Sequence, residues 1–503
     1  MEIGLPFYIK RALFLVLLFL TVDSFSQSLN ILDFGAKADG ATINTVPIQA
    51  AIDKCGEQGG GQVIIPKGTF LSGTLTLKDR VELHLMEGAV LMGSPDFQDY
   101  PYLAVKFQSQ FTDKSYYTQK KIIQRYRSFI FAEAAIGISI TGYGTIDGNG
   151  GSPSFQLGGD AGSKESMERP ILILVIDCSD IAIENVHLRN SAYWMQLYLA
   201  CENVHINGIS VFNHINYNND GIDIDSKNVL IENCNIDSDD DGICLKSHDK
   251  DRLCENVVIR NCTVGSNCNA VKLGTGSLGG FRNIEVSNVI IKSASESRIR
   301  DWQKIFKFID KPNTGLSGIA IENVDGGVTD NIRVSNIFMT DVHAPIFIKL
   351  GNRSSGGGKL ENVTISNVAA VGNSRMASSI TGYPGHDVEN IQLNNIRISS
   401  PGGGTAEDSC ISLPENEKNY PESNMFGNVL PSSGLYVRHA KGIVLQDVTL
   451  NVRNEDDRPA MIMDDIKMAN IGLMNIDLPI GNTPAIKLVN CQNICHSTNG
   501  DFW

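Results

Sequence analysis

Through the middle of the chain, one polar position keeps returning ahead of an alternating apolar pair. The pattern reads Asn203-Val-His-Ile206, Asn228-Val-Leu-Ile231, Asn256-Val-Val-Ile259, Asn283-Ile-Glu-Val286, Asn331-Ile-Arg-Val334, Asn362-Val-Thr-Ile365 and Asn390-Ile-Gln-Leu393. Successive starts lie 25, 28, 27, 48, 31 and 28 residues apart, and the interval of 48 reads as two turns of a repeat, one of them degenerate. Alternation of period two between Gly, Asn and Asp predicts strands of about three to five residues rather than helices. Strands this short make no stable sheet alone. Stacked as coils, each pairs with its equivalents above and below, and every backbone polar group finds a partner.

The fold expected is therefore all-β, a single-stranded right-handed parallel β-helix, or solenoid. A leucine-rich horseshoe would need a shorter period and leucine at the strand positions, and a propeller would need longer blades. A second asparagine series, at Asn233, Asn261, Asn288, Asn336, Asn367 and Asn395, predicts a side-chain amide ladder along one corner. Residues 49 to 58 read as the one short helix, capping the N-terminal end of the solenoid.

Composition adjusts this picture in a few places. Of 503 residues, 42% are hydrophobic and 19% charged, which is the composition of a chain with an ample core, neither disordered nor embedded in a membrane. Lys10 and Arg11 precede an apolar run from Ala12 to Val22, with Ser24 and Ser26 ahead of Gln27. This is the pattern of a cleavable signal peptide over residues 1–26, leaving one domain over 27–503. The run is about half of the roughly 20 residues a membrane-spanning helix needs, so a secreted or periplasmic protein without a membrane anchor is expected. The eleven cysteines form no pair at metal-site spacing and read mostly as small core residues, with Cys491 and Cys495 as one conceivable bridge. A net charge of -14 argues against nucleic acid and anionic membranes as partners, and the chain is expected to be a monomer.

The chemistry is expected at two neighbouring coils. Asn218-Asn-Asp-Gly-Ile-Asp223 is followed, about one coil on, by Asp239-Asp-Asp-Gly-Ile-Cys-Leu-Lys246, so Asp220 should stack beside Asp240 and Asp241. Aspartates in turns are usually solvated, and clustered ones can hold calcium. These lie in strand-like runs instead. Like charges held close raise at least one pKa, giving an acid beside ionised partners, which is the division of labour that glycoside hydrolysis needs. Strict alternation would send Asp240 and Asp241 to opposite faces, so both can serve one cleft only across a local bend.

Over nearly all of residues 27–503 the sequence resembles glycoside hydrolase family 28, the polygalacturonase and rhamnogalacturonase family. The resemblance is carried by Asp33-Phe-Gly-Ala-Lys-Ala-Asp-Gly40, Ile48-Gln-Ala-Ala-Ile-Asp53, Gly59-Gly-Gly61, Gly142-Tyr-Gly-Thr-Ile-Asp-Gly-Asn149, Arg169-Pro170 and Asn190-Ser-Ala-Tyr-Trp194. Its Asn-x-Asp motif falls on Asn218 to Asp220 and its Asp-Asp pair on Asp240 and Asp241. The resemblance implies Asp240 as general acid, Asp220 and Asp241 as the groups that position and deprotonate water, inversion at the anomeric carbon, and no metal or organic cofactor. Lys246 follows the pair as in the family and is expected to line the cleft.

Two positions depart from that pattern. The family's Gly-His-Gly aligns with Cys268-Asn269-Ala270, and its Arg-Ile-Lys, which grips a galacturonate carboxylate, aligns with Ala320-Ile321-Glu322. Alanine and glutamate in place of two cations turn attraction for a carboxylate into repulsion. Three readings stay open at this point. Another cation substitutes, from Lys272, His248, Lys250, Arg353 or Arg438; or the sugar there is neutral, such as a rhamnose, with Glu322 accepting hydrogen bonds from its hydroxyls; or activity has been lost, against which the retention of all three aspartates argues. Asn218, Lys246, His248, Asn269, Lys272 and Glu322 are the substrate-binding candidates.

Residues 293–317 and 405–434 interrupt the repeat, and long insertions in a solenoid shape its groove. Their aromatics, Trp302, Tyr420 and Phe426, the last beside Met425, read equally as sugar-stacking platforms or as latches holding the loops down. A groove closed by them would favour trimming of chain ends. The function expected is that of a secreted inverting glycoside hydrolase on pectin-type polysaccharide. Competing classes are a calcium-dependent lyase, which would make unsaturated products, and a non-catalytic glycan-binding surface protein, which has no need of three stacked carboxylates.

Overall fold

The computed structural model describes residues 28–107, 127–155, 169–305, 309, 312–354, 356–478 and 484–496. The expected signal peptide, residues 1–26, lies outside them. The described chain winds as a right-handed parallel β-helix of 34 strands, and the registers between successive coils are all parallel. Valine and isoleucine at alternate positions point inward and stack on their counterparts, as Val229, Val257, Ile284, Ile332, Val363 and Ile391 do in one continuous file. Burying each coil's apolar side against the next is what holds so elongated a core together. Among the described residues, no helix is long and apolar enough to cross a membrane.

Strands are longer than the sequence suggests, up to Val328–Leu350. The reason lies in the asparagines. Asn203, Asn228, Asn256, Asn283, Asn331, Asn362 and Asn390 all have φ between 55° and 58°, and the second series is left-handed too. A single left-handed residue turns the chain by a corner without interrupting the ladder, so two short strands merge into one bent strand. Asparagine tolerates that conformation better than other residues with a Cβ. Its side chain then bonds along the axis: Asn256 Nδ2 donates to Asn228 Oδ1 at 3.0 Å, Asn283 to Asn256 at 3.0 Å, Asn336 to Asn288 at 3.0 Å and Asn395 to Asn367 at 2.8 Å. Acids stand in for asparagine where Asn203 donates to Asp180 and Asn362 to Asp330. Asn288→Ala removes both the left-handed preference and two ladder bonds, and is expected to cost about 1–2 kcal/mol, read as a lowered urea midpoint.

Three expectations are corrected here. The 48-residue interval is one coil, not two: Asn331 Nδ2 bonds Asn283 Oδ1 directly at 2.8 Å, and Gly280–Lys292 pairs straight onto Val328–Leu350. The surplus residues form the first insertion. The capping helix runs Thr45–Glu57, starting earlier than expected because Pro47 is tolerated in a first turn; Ile48, Ala51, Ile52 and Cys55 form its buried stripe. Single-turn helices at Trp302–Ile305 and Ala406–Ser409 accompany it. The cysteines are free thiols, eight of them buried; Cys491 donates to the Met463 carbonyl at 3.3 Å rather than bridging to Cys495.

Candidate active site

One sheet of the solenoid carries side chains outward in long rows, and the character of the first changes along the axis. The first row runs Leu174, Leu197, Asp223, Cys244, Lys272, Ala320, Phe347, Ser379, Tyr436, Ile462, read through successive registers. The face is apolar at both ends and ionic in the middle. Each apolar stretch is roofed by chain. Leu103 and Val105 pack on Phe131, Leu174, Ile176, Leu197 and Leu199 beside Trp194. From the other side, Leu413, Phe426 and Leu430 of the second insertion pack on Ala320, Phe347, Tyr436 and Ile462. Between the two roofs stands the ionic window.

Backbone geometry sets the aspartates in that window. Asn219, fully buried, accepts from the Asn216 N–H and donates to the Ser191 and Tyr193 carbonyls at 3.0 Å each, which fixes the turn leading into Asp220. Asn218 takes the left-handed position of that turn, with its Oδ1 3.5 Å from the Arg169 guanidinium. Asp239 to Gly242 form a bend between two strands, so Asp240 and Asp241 escape the alternation that would separate them. The expectation that the pair lies within a strand is corrected, and the bend it required is present. Ser238 and Ser266 hydroxyls hold the Asp240 carbonyl, and the Asp241 N–H bonds the Asp240 carboxylate at 2.9 Å. A Cβ on Gly242 would sit 2.4 Å from Val264 and 2.6 Å from the Ala270 carbonyl, so only glycine allows the bend to pack. The Gly221 N–H bonds the Asp241 carbonyl at 2.9 Å, which sets Asp220 beside Asp241 in the next coil.

Three cations hold the carboxylates. Lys246 Nζ lies 2.9 Å from Asp223 and 3.9 Å from Asp220, and 5.2 Å from the centre of the Trp194 ring. Lys272 Nζ sits between Asp241 at 3.1 Å and Glu322 at 3.6 Å, with the Tyr420 hydroxyl 3.5 Å away. Arg300 reaches in from the first insertion to Asp240 at 2.5 Å and to the Asp239 carbonyl. Asn269 donates to Asp241 from its side chain at 2.8 Å. The carboxylates answer differently. Burial, with Asp223 and Asp240 nearby, pushes Asp220 well above the ordinary range. Burial lifts Asp223 to about 6 against the pull of Lys246. Burial would raise Asp241 too, but Lys272, Lys246 and Asn269 outweigh it and hold Asp241 below its usual value. Glu322 is pushed up to about 8 by burial, Lys272 countering only in part.

The structure thus brings together Asp220, Asp240, Asp241, Lys246, Asn269, Lys272 and Glu322. His248 is engaged instead by Asp225, at 2.8 Å to its ring. Of the five cations weighed as substitutes, only Lys272 stands in the cluster; Lys250 neighbours Asp251, Arg353 makes a forked pair with Asp325, and Arg438 pairs with Glu415. Asp223, Arg300 and Asn219 were not singled out as site residues from sequence. Arg300 had one available signal, a basic residue in an insertion. The insertion is pinned beside the pair by Ser297 to Asp239 at 2.9 Å and by Trp302 Nε1 to the Asn267 carbonyl at 2.8 Å. Trp302 and Phe426 are buried latches, whereas Tyr420 is partly exposed above Lys272. Asp240, Asp241 and Cys268 bring one ligand atom each within 4.8 Å of one another. The carboxylate oxygens are taken by Arg300, Lys272 and Asn269, the pattern of a charge-paired cluster rather than of a built metal site.

Comparison with known proteins accords with this geometry. A "Probable polygalacturonase" of Vitis vinifera is 33% identical over 290 residues, covering 55% of this chain and 57% of its own. An "Exo-poly-alpha-D-galacturonosidase" of Dickeya chrysanthemi is 27% identical, covering 54% and 51%. The chain therefore spans just over half the length of these two relatives. The crystal structure of a hyperthermoactive exopolygalacturonase from Thermotoga maritima superposes with a TM-score of 0.62 at 20% identity, covering 84% of this chain and 92% of that one, a likeness of fold. The model of glycosyl hydrolases family 28 matches residues 55–419, close to three quarters of the chain and the whole of the aspartate cluster; the chain belongs to that family.

Proposed function

We propose that this protein is a secreted glycoside hydrolase that acts with inversion on pectin-type polysaccharide, polygalacturonan or rhamnogalacturonan, and removes sugars from chain ends. The observation that carries the reading is the confinement of Asp220, Asp240 and Asp241 to an ionic window between two apolar roofs. A polymer lying along an open groove would need the same face free on both sides. Roofs on each side leave room for a terminus rather than for a passing chain.

In this reading Asp240 protonates the departing glycosidic oxygen and Asp241, kept ionised by Lys272 and Asn269, takes the proton of the attacking water. Asp220 assists in placing that water and, being pushed up by burial, stores the proton the free cluster retains. Asp240, held in place by Arg300, takes that proton from Asp220 and passes it to the leaving oxygen as the glycosidic bond breaks. No metal or organic cofactor is called upon. Export rests on the pattern of residues 1–26, and N-terminal sequencing of the exported protein is expected to start near Gln27.

The test is product analysis by mass spectrometry and anomeric NMR, with wild type and Asp240→Asn on polygalacturonate and on rhamnogalacturonan oligosaccharides. Saturated monosaccharides or short ends, released with inverted configuration by wild type alone, are expected. Unsaturated products would indicate a lyase, and random internal cuts would refute the chain-end reading while leaving the hydrolase reading in place.

A further inference from the structure

Every cation in the ionic window already has a carboxylate of the protein itself. Lys246 has Asp223, Lys272 has Asp241 and Glu322, and Arg300 has Asp240. The carboxyl groups of Asp220, Asp223, Asp240, Asp241 and Glu322, with those of Asp239 and Glu422 beside them, outnumber these three cations. The two lysines are also withdrawn from the surface: the Lys272 side chain is 1% exposed behind Tyr420 and that of Lys246 is 8% exposed under Trp194.

The polar atoms left over are acceptors. Both oxygens of Glu322, Oδ2 of Asp223 and Oδ1 of Asn269 are buried without a hydrogen-bond partner among the described residues. Lys272, at 3.6 Å, neighbours Glu322 electrostatically but lies beyond bonding distance. Buried groups of this kind are costly unless a ligand completes them. A carboxylate can only accept, and a further acid in a window where acids already outnumber cations would be a buried and unpaired charge. A hydroxyl both donates and accepts, so it satisfies Glu322 whether that group is ionised or protonated.

We propose that the sugar ring seated at the aspartates is neutral, a hexose or deoxyhexose, and that Glu322 sets this preference by occupying Lys272 and presenting acceptors to ring hydroxyls. Uronates of the polymer then lie outside the window. The inference rests on the hydrolase reading above and sharpens its substrate.

The experiment compares two pairs of oligosaccharides that differ at the non-reducing end: galacturonate oligomers against the same oligomers with only the terminal carboxyl reduced to give galactose, and rhamnogalacturonan oligomers ending in galacturonate against those ending in rhamnose. Within at least one pair, kcat/KM for the neutral end is expected to exceed that for the acidic end by about 100-fold. Glu322→Lys, which frees Lys272 and adds a cation, is expected to reverse the order; the size-matched Glu322→Gln narrows it should the lysine variant not fold. A wild-type preference for the uronate end in both pairs overturns the proposal and leaves the hydrolase reading intact. Should no member be cleaved, the hydrolase reading on these linkages fails by itself, and calorimetric binding to Asp240→Asn still ranks the ends. Tighter binding of the acidic ends, or binding of none, overturns the proposal; tighter binding of a neutral end supports it.

Discussion

Replacing Asp241 by asparagine is expected to lower kcat by about 10³- to 10⁴-fold with little change in KM, because the group that takes the proton of water loses its basicity while the ring contacts remain. Asparagine keeps the size of the side chain, and the flanking Ser238 and Ser266 bonds to the bend do not depend on the Asp241 carboxylate. The electrostatic consequence is specific. Lys272 now has Glu322 as its remaining acid in the cluster, so Glu322 loses a like-charged neighbour and gains an undivided cation, and its titration should move down from about 8. A pH series of kcat and of the urea midpoint on the same variant checks both statements. A loss of activity below tenfold would remove Asp241 from the reaction.

Glu322→Gln is expected to flatten the pH dependence of stability by roughly 2–5 kcal/mol between pH 5 and 9. The sign follows from linkage. A carboxyl whose folded pKa is about 8 lies above its unfolded value of about 4.5, so between these limits the folded chain binds a proton that the unfolded chain has released. Stability therefore falls as pH rises through that window and levels off above about 8. Asp220 and Asp223, also pushed up by burial, act in the same direction, Asp223 ceasing near pH 6. The difference between wild type and variant isolates Glu322. Equal slopes for the two, from urea midpoints at pH 5, 7 and 9, would show that Glu322 is not the buried proton carrier described here.

The same two residues account for what the family resemblance left undecided. With Ala320 and Glu322 where cations were expected, sequence alone allowed a substitute cation, a neutral sugar or a dead site. Lys272 does stand close by, opposite Ala320 in the register. It is nonetheless committed to Asp241 and Glu322, so its presence does not restore a free positive charge. Arg300 likewise brings a guanidinium to the window but spends it on Asp240. The second insertion, which places Tyr420 over Lys272 and Phe426 over Phe347, seals both the lysine and the end of the groove.

What could be read from the chain was local or periodic. The left-handed asparagine corners, the inward valine and isoleucine files and the helical cap each depend on residues a few positions apart or on a constant coil length. A period of about 28 residues therefore carries the solenoid, and the spacing of 20 between Asp220 and Asp240 carries the stacking of the one against the bend that holds the other. The interval of 48 misled because periodicity cannot tell a degenerate coil from a loop inserted into one; only the direct bond from Asn331 to Asn283 separates them. The charge pattern of the window was beyond sequence for a related reason. Lys272 meets Glu322 50 residues on and Tyr420 148 residues on, and Arg300 meets Asp240 across 60, each distance set by how far an irregular loop folds back over the sheet. Coil stacking is dictated by repeated short-range preferences, whereas the pairing of buried charges depends on which loop covers which coil, and that is decided only when the whole solenoid has packed.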